Sequence, residues 1–296
     1  MGGSASPSGY DYSYSPSVTK RSAKSYRKDE GARYKGSSEG VQPPKKWKGK
    51  KKIKSNSPTP LVVAVDVTGS MGEWPEIIFE KLSVLYNEAK LHMPDIEISF
   101  AAVGDAYCDR QPIQICKFGK GKELDEMINK IYAEGGGGGQ HYETYELVAY
   151  YYLKHCNIPK AKKPMFVFCG DEAFYDKVDA GHIRDLIGDN VKNDRESMKV
   201  MKDLCKKFDT YNLRIEYDNG RLEDEIHELW QNALGKQHVT KMEDPRRIVD
   251  CIIGMTAMAA GDWDKFEERI THRQTKKQVK QVMDTLKDLH PGKKKK

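Results

Sequence analysis

Residues 61–71 read LVVAVDVTGSM, an apolar and mostly β-branched run that leads into a carboxylate, two hydroxyls and a glycine. A continuous apolar run of this kind is typical of a strand buried on both faces of a parallel sheet, and it predicts a strand over residues 61–68. Because Asp66 directly follows five apolar residues, we expect its carboxylate to be held at the rim of that sheet.

The same pattern continues along the chain, where strand-sized apolar runs alternate with helical segments of about 10–18 residues. This alternation predicts an α/β protein with a doubly wound, mostly parallel sheet flanked by helices. Its functional crevice should lie beyond the carboxyl ends of the strands. Further strands are expected at residues 96–104, 113–118, 165–171, 213–217 and 238–242, and a helix at 142–156 follows the glycine run 135–139.

The two ends of the chain differ in composition from its middle. Residues 1–60 hold fourteen Lys and Arg against four Asp and Glu, whereas residues 61–286 carry a formal charge of −8. Residues 1–57 contain almost no aliphatic side chains, which predicts a disordered, basic, low-complexity arm. A domain over 58–261 should follow, and residues 262–296 predict a polar helix, docked on the domain or on a partner, with a basic tail.

The basic arm has two interpretations that the sequence leaves open. It is either a solubilising tail or a polyanion-binding segment, in which lysines contact phosphates and aromatic rings stack on bases. The same patch would serve nuclear import in a eukaryotic cell. The binding interpretation involves Lys45, Lys46, Trp47, Lys48, Lys50, Lys51 and Lys52.

The apolar and cysteine patterns exclude several classes of protein. No apolar run approaches the roughly 20 residues that a membrane-spanning helix needs, and the N-terminus lacks the apolar core of a secretory signal. The six cysteines form no CxxC pair, which favours reduced thiols in a cytoplasmic protein.

Three predicted loops place oxygen-bearing side chains or glycines near the carboxyl ends of strands. The first carries Asp66, Thr68 and Ser70, the second is the glycine-rich segment 135–144, and the third begins with Asp171. A carboxylate and two hydroxyls that face one point suit a small, hard cation such as Mg²⁺. Taken singly, these residues would also serve as a helix cap or as turn residues, so the prediction depends on the three loops together.

The ordered set VAVDVTGSM, a glycine-rich loop entering a helix, and FVFCGDE resembles the von Willebrand factor A domain with its metal-ion-dependent adhesion site. The resemblance covers roughly residues 59–260. It implies that Asp66, Thr68 and Ser70 bind a divalent cation, Mg²⁺ or Mn²⁺. Thr68 occupies the position where the family more often has Ser, and its hydroxyl provides the same ligand oxygen.

The later loops supply the remaining ligands that the resemblance implies. Asp171 would complete the coordination shell, partly through water. The middle loop would supply one more ligand, and counting back from the predicted helix leaves Glu143 and Thr144 as alternatives. Asp105, Asp109 and Glu172 are expected to accept hydrogen bonds around the ligands or to line the rim, and for Asp105 and Asp109 a plain turn role stays open.

A cation held by such ligands, with one open position, can serve binding or catalysis. It either accepts a carboxylate from a partner protein or activates a water for hydrolysis. The sequence holds no HExxH motif, no nucleophile elbow and no Ser/His/Asp order, which favours a binding protein over an enzyme. The resemblance further implies an intracellular protein that works with a MoxR-type AAA+ ATPase or as an assembly scaffold.

Two rival functions remain at this stage. The first is a nucleic-acid-associated protein, which would bind through its basic arm and its C-terminal lysine tail at 293–296. The second, less favoured, is a metal-dependent phosphohydrolase, since the Asp-x-Thr spacing at 66–68 superficially matches aspartyl-phosphate chemistry.

Overall fold

The computed structural model describes residues 52–71, 81–128, 131, 141–217 and 220–289, apart from the side chains of residues 70, 82 and 83. Within these residues, six strands form the central sheet. They are β1 (Pro60–Asp66), β2 (Glu97–Val103), β3 (Ile113–Ile115), β4 (Met165–Gly170), β5 (Asp209–Arg214) and β6 (Val239–Lys241).

The sheet has the strand order β6-β5-β4-β1-β2-β3, and β1 lies at its centre. All neighbours pair in parallel except β3, which runs antiparallel to β2. The end of β1 is therefore flanked on both sides, with Asp66 opposite Val103 of β2 and Val65 opposite Cys169 of β4. Because the chain leaves β1 towards β2 and later returns on the other side as β4, this is the switch point of a doubly wound sheet. The predicted fold class is confirmed.

Helices cover both faces of the sheet, and β1 packs against both layers. Its side chains alternate between the faces, as strand geometry requires: Val62 and Ala64 lie in one hydrophobic cluster, whereas Leu61 and Val63 lie in the other. The helices are α1 (Leu82–His92), α2 (Lys122–Ile128), α3 (Tyr145–His155), α4 (Ser197–Lys207), α5 (Arg221–Leu234), α6 (Ile248–Ala260), α7 (Trp263–Arg273) and α8 (Lys276–Leu286). Helices α3, α4 and α5 cover the first face, and the others cover the second.

Shorter elements complete the described structure. Three pairs of two-residue strands lie outside the central sheet: Ile53–Lys54 with Cys156–Asn157, Tyr142–Glu143 with Ala173–Phe174, and Lys177–Val178 with Arg195–Glu196. Short helical turns span Gly69–Met71, Ala180–His182, Ile183–Ile187, Lys236–His238 and Pro245–Arg247.

The last two helices pack on the same face as α6. Phe266 and Ile270 of α7, and Val282 and Leu286 of α8, are buried in one core with α6. The segment predicted to follow the domain thus lies against it as far as residue 289, while the domain limits themselves stay a prediction.

The strand expected at residues 213–217 was placed too late, because β5 spans Asp209–Arg214. It pairs with β4 along its whole length, from Asp209 opposite Met165 to Arg214 opposite Gly170. Thr210, Asn212 and Arg214 are buried although they are polar, so the apolar pattern that marks a buried strand is interrupted along the whole of β5.

Two other boundaries also differ from the prediction. The third strand ends at Ile115 and forms an antiparallel edge, although a strand to residue 118 was expected. The helix expected from residue 142 begins at Tyr145, because Tyr142–Glu143 is extended and pairs with Ala173–Phe174. This second difference matters for the site, since it fixes where Glu143 lies.

Several predictions fall outside the described residues. These are the arm up to residue 51, the glycine run 135–139 and the lysine tail 293–296. Lys52 is the member of the basic patch that lies within the described residues, and it is exposed. In the part of the chain that is described, no helix has the length and apolar character needed to cross a membrane.

Candidate metal centre

Asp66 is the buried end of β1 and lies at the switch point. Its side chain is fully enclosed. Oδ1 accepts hydrogen bonds from the Thr68 amide at 2.8 Å and the Thr68 hydroxyl at 2.5 Å. Oδ2 accepts one from the Tyr145 hydroxyl at 2.9 Å. Three donors therefore fix the orientation of this carboxylate.

Three buried carboxylates converge at this point. One oxygen each from Asp66, Glu143 and Glu172 lies within 4.8 Å of the others. Two strand pairings bring them together: β1 lies beside β4, which precedes Glu172, and Tyr142–Glu143 pairs in parallel with Ala173–Phe174. Among the described residues, no hydrogen-bond partner reaches Oε2 of Glu143 or Oε2 of Glu172, although both atoms are buried.

Burial and, after it, the charges of neighbouring acids raise the pKa values of these carboxyl groups. Burial, followed by the charge of Asp171, raises the pKa of Asp66 to about 7, although the bonds from Thr68 and Tyr145 oppose the shift. Burial and the charges of Asp66 and Asp171 raise the pKa of Glu172 to about 9, against a hydrogen bond with Glu143. Burial and Asp66 also raise the pKa of Glu143. The site therefore holds protons more tightly than ordinary carboxylates do.

Two side chains from neighbouring elements hold the backbone that carries Asp171 and Glu172. The Arg214 guanidinium of β5 donates to the Asp171 carbonyl at 2.7 Å, and the Trp230 indole N–H of α5 donates to the Glu172 carbonyl at 2.9 Å. Both donors are fully buried. The backbone of the loop after β4 is thus held by two buried donors, and the Glu172 carboxylate of this loop lies in the cluster.

Gly170, the last residue of β4, allows this close packing. A Cβ atom there would overlap the Tyr145 hydroxyl, the group that binds Asp66. A glycine is required because the tyrosine occupies the space in which any other side chain would begin.

The middle-loop alternatives occupy different positions. Glu143 lies in the carboxylate cluster. The Thr144 amide and hydroxyl both donate to the Gly104 carbonyl, at 3.1 and 2.5 Å, and Gly104 directly follows Val103, the residue opposite Asp66. The structure therefore brings the Glu143 carboxylate to Asp66 and shows the Thr144 hydroxyl bonded to the backbone beside it.

The other predicted ligands are arranged around the cluster. Asp171 is buried beside it and acts on the pKa of Asp66, although its carboxylate is not one of the three closest. The Thr68 hydroxyl donates to Asp66. Ser70 lies in the turn Gly69–Met71, and its side chain is outside the described part.

The acids expected at the rim divide into two groups. Glu172 belongs to the cluster itself. Asp105 and Asp109 form a turn after β2: Asp105 accepts from the Tyr107 amide at 2.9 Å, and Asp109 accepts from the Asp105 amide at 2.8 Å. Both still contribute to the raised pKa of Glu143, so they combine a turn role with an electrostatic one.

Tyr145 is a site residue that the sequence patterns did not single out. It is the first residue of α3, and its hydroxyl reaches Asp66 across 79 positions of sequence. A tyrosine within a helical apolar pattern is ordinarily a core residue, so no local signal marked its polar end as part of the site.

The donor set fits a divalent cation. All of the candidate ligand atoms are oxygens, and the three that lie closest together belong to the carboxylates of Asp66, Glu143 and Glu172. Oε2 of Glu143 and Oε2 of Glu172 are buried and have no hydrogen-bond partner among the described residues. A divalent cation would offset both the burial of these charges and their mutual repulsion, which together raise the pKa values, and all-oxygen sets suit Mg²⁺, Mn²⁺ or Ca²⁺. Asp66, Glu143 and Glu172 would hold such an ion.

Comparison with known proteins gives a likeness of fold. Neither a protein-family model nor a curated protein sequence matches the chain. A crystal structure of the pilus adhesin SpaC from Lactobacillus rhamnosus GG is similar at 12% identity, with a TM-score of 0.46 over 72% of this chain and 32% of the adhesin. A second, in an open conformation, gives 12% identity and a TM-score of 0.47 over 74% and 31%. The chain thus spans about a third of that adhesin's length.

Proposed function

We propose that this chain is a divalent-metal-dependent protein-interaction module of the von Willebrand factor A type. The observation that carries the proposal is the convergence of Asp66, Glu143 and Glu172 at the switch point of the sheet. The sequence motif around residues 61–71 and the buried oxygens without partners support the same assignment.

In this proposal the cation, Mg²⁺ or Mn²⁺, binds the cluster and presents one coordination position to a partner protein. An acidic side chain of the partner completes the shell. Burial and the charges of neighbouring acids raise the pKa values of both Glu143 and Glu172, so this pair can retain one proton. The site then offers about two negative charges to a divalent ion, which leaves the ion able to attract a further carboxylate.

The proposed partner is an assembly protein, such as a MoxR-type AAA+ ATPase, for which the chain acts as an adaptor or scaffold. The support is the resemblance of the first and third motifs, since fold alone does not fix function. We also propose a binding role rather than an enzymatic one. Steady turnover of a generic phosphate ester that disappears in Asp66→Ala would contradict that part of the proposal.

The first test is isothermal titration of Mg²⁺ and Mn²⁺ into metal-stripped protein. We expect saturable binding at one site in the wild type and its loss in Asp66→Ala and Glu143→Gln. Asp284→Asn is the matched control, because this acid is exposed on α8, where it pairs with Lys280, and is not part of the cluster. Equal binding by Asp66→Ala and the wild type would refute the metal site.

The second test concerns the partner. Candidate proteins captured by the immobilised full chain should be released by EDTA and should not bind Asp66→Ala. Capture that persists in EDTA and with Asp66→Ala would show that the interaction does not use the cation. The separate prediction of nucleic-acid binding through the basic ends is tested by the salt dependence of oligonucleotide affinity, which should fall by orders of magnitude between low and moderate salt.

A further inference from the structure

Trp230, on α5, is fully buried in a group of aromatic side chains that belong to the elements around the carboxylate cluster. Its ring lies 5.2 Å from Tyr145, 5.2 Å from Phe168 and 4.9 Å from Phe174 between centroids. The contacts with Tyr145 and Phe174 are edge-to-face, an arrangement that aromatic pairs prefer. Through this group, Trp230 is connected to each of the three acids of the cluster.

The connection to Glu172 is a hydrogen bond. The indole N–H of Trp230 donates to the Glu172 carbonyl at 2.9 Å, and the bond is buried. An indole offers one donor and no acceptor, so this bond uses its whole polar capacity. A buried carbonyl that lost its donor would be left unpaired at a cost in free energy. The backbone at Glu172 is therefore held at the position that the indole sets.

The connection to Asp66 passes through Tyr145. The Tyr145 hydroxyl donates to Oδ2 of Asp66 at 2.9 Å. Trp230 and Phe168 both contact the Tyr145 ring edge-to-face, at 5.2 and 5.9 Å between centroids. Because a phenol is rigid, the packing that places its ring also places its hydroxyl. Trp230 thus contributes to the orientation of the Asp66 carboxylate.

The connection to Glu143 passes through Phe174. Phe174 is buried, and in the pair of two-residue strands it lies opposite Glu143. The Trp230 ring packs on the Phe174 side chain, at the shortest of its three ring distances. A shift of Phe174 would move its strand partner, and Glu143 would move with it. The same tryptophan therefore supports the third acid as well.

We propose that Trp230 is a positioning residue of the candidate metal centre, which holds Asp66, Glu143 and Glu172 in one arrangement through one neighbour of each. The indole has no acceptor and is not a ligand. Its contacts reach the site from α5, 58 positions along the chain from Glu172. The effect on metal binding rests on the proposed function, whereas the arrangement of the acids in the ion-free protein does not.

Hydrogen exchange of the full chain in EDTA tests the arrangement without a cation. Trp230→Phe removes the indole donor and part of the buried ring, so the amides of residues 141–145 and 171–175 should exchange at least fivefold faster than in the wild type. The matched control is Phe208→Leu, which shortens a buried aromatic side chain on the same face, just before the start of β5. There these amides should exchange as in the wild type. Equal exchange in the two variants would overturn the proposal.

Isothermal titration of Mg²⁺ measures the consequence for the site. Trp230→Phe should bind at least tenfold more weakly than the wild type, because the loss of a group that orients ligands typically costs about 10- to 100-fold in metal affinity. Phe208→Leu should bind within twofold of the wild type. Unchanged affinity in Trp230→Phe would overturn the proposal. A wild type that binds no Mg²⁺ would instead contradict the proposed function, and the exchange in EDTA would still decide the role of Trp230.

The indole N–H signals of the ¹⁵N-labelled wild type give a measurement that does not depend on the folding of a variant. The Trp230 signal should exchange slowly in EDTA and should move when Mg²⁺ saturates the site. The Trp263 signal, from α7 on the other face of the sheet, should keep its position. A Trp230 signal that exchanges rapidly in EDTA, or that stays in place while titration shows bound Mg²⁺, would overturn the proposal.

Discussion

Replacing Glu172 by Gln should stabilise the protein when no metal is present and abolish its stabilisation by Mg²⁺. Glu172 is 6% exposed, and its Oε2 has no hydrogen-bond partner in the described structure. We therefore expect the wild-type side chain to destabilise the fold when no ion is bound. A neutral amide of the same size needs no proton to be buried beside Asp66 and Asp171, and it also removes a carboxylate that the cation would bind.

The magnitude follows from the pKa of Glu172, which is about 9 in the folded protein against an ordinary 4.5. At pH 7 the unfolded chain ionises this group and the folded chain keeps it protonated. With about 1.4 kcal/mol per pH unit, the interval from 4.5 to 7 destabilises the fold by up to about 3 kcal/mol. Since the amide also needs hydrogen bonds, we expect a gain of about 1–3 kcal/mol.

The pH dependence has a definite sign. A raised folded-state pKa contributes stability that is present below the unfolded value and is lost as the pH rises towards the folded value. The wild type should therefore become less stable from about pH 5 to pH 9 in EDTA. Glu172→Gln should have the shallower dependence, because one of the proton-binding groups is gone.

Urea unfolding in EDTA at pH 5.5 and pH 7.5 measures both effects. The matched control is Glu223→Gln, since Glu223 is equally buried but bonded to Arg214 and Lys241. Although burial opposes it, the bonds from the Tyr217 amide, Lys241 and Arg214 hold the pKa of Glu223 below its ordinary value, so its loss should destabilise. A Glu172→Gln variant less stable than the wild type at both pH values would refute the reasoning.

Three further predictions concern the frame of the site and the helices around it. Gly170→Ala should lower the free energy of unfolding by about 2 kcal/mol and weaken Mg²⁺ binding, because the new methyl group displaces Tyr145 from Asp66; titration against an equally destabilised core variant separates the two effects. Lys207→Met should cost about 2 kcal/mol in urea unfolding, because its ammonium donates to three carbonyls at the end of α3, and Mg²⁺ affinity should be unchanged. Gly254→Ala should destabilise by about 1–3 kcal/mol and increase hydrogen exchange in α7 and α8, because its methyl group would strike Leu286 and Phe266; unchanged exchange would show that these helices do not depend on that contact.

The elements closest to the site show what local sequence can reveal. The run at 61–65 is uniformly apolar, which is typical of a strand buried on both faces, so β1 and the position of Asp66 at its end were predictable. The alternation of strands and helices then predicted a parallel sheet. The neighbouring ends of β1 and β4 follow from that topology.

Strand β5 shows where the same reasoning stops. Arg214 is fully buried in it and bonds Glu223 with both terminal nitrogens, at 2.8 and 3.1 Å. From the sequence, an arginine is predicted to lie at the surface. Its burial depends on a partner that lies on another element, which the local pattern does not show. The hydrophobic pattern cannot reveal a strand whose polar groups are satisfied in this way.

The sequence alone therefore determined most of the strands along the chain, the class of fold and the acid at the end of the first strand. Only the tertiary structure decided that Glu143 and Glu172 lie beside Asp66 in one cluster. It also decided that Thr144 bonds Gly104 and that the Tyr145 hydroxyl donates to Asp66. The physical reason is the pairing of Tyr142–Glu143 with Ala173–Phe174, a contact between segments about thirty residues apart. A one-residue change in that register would turn a different side chain towards the site, and no local pattern encodes the register of two-residue strands.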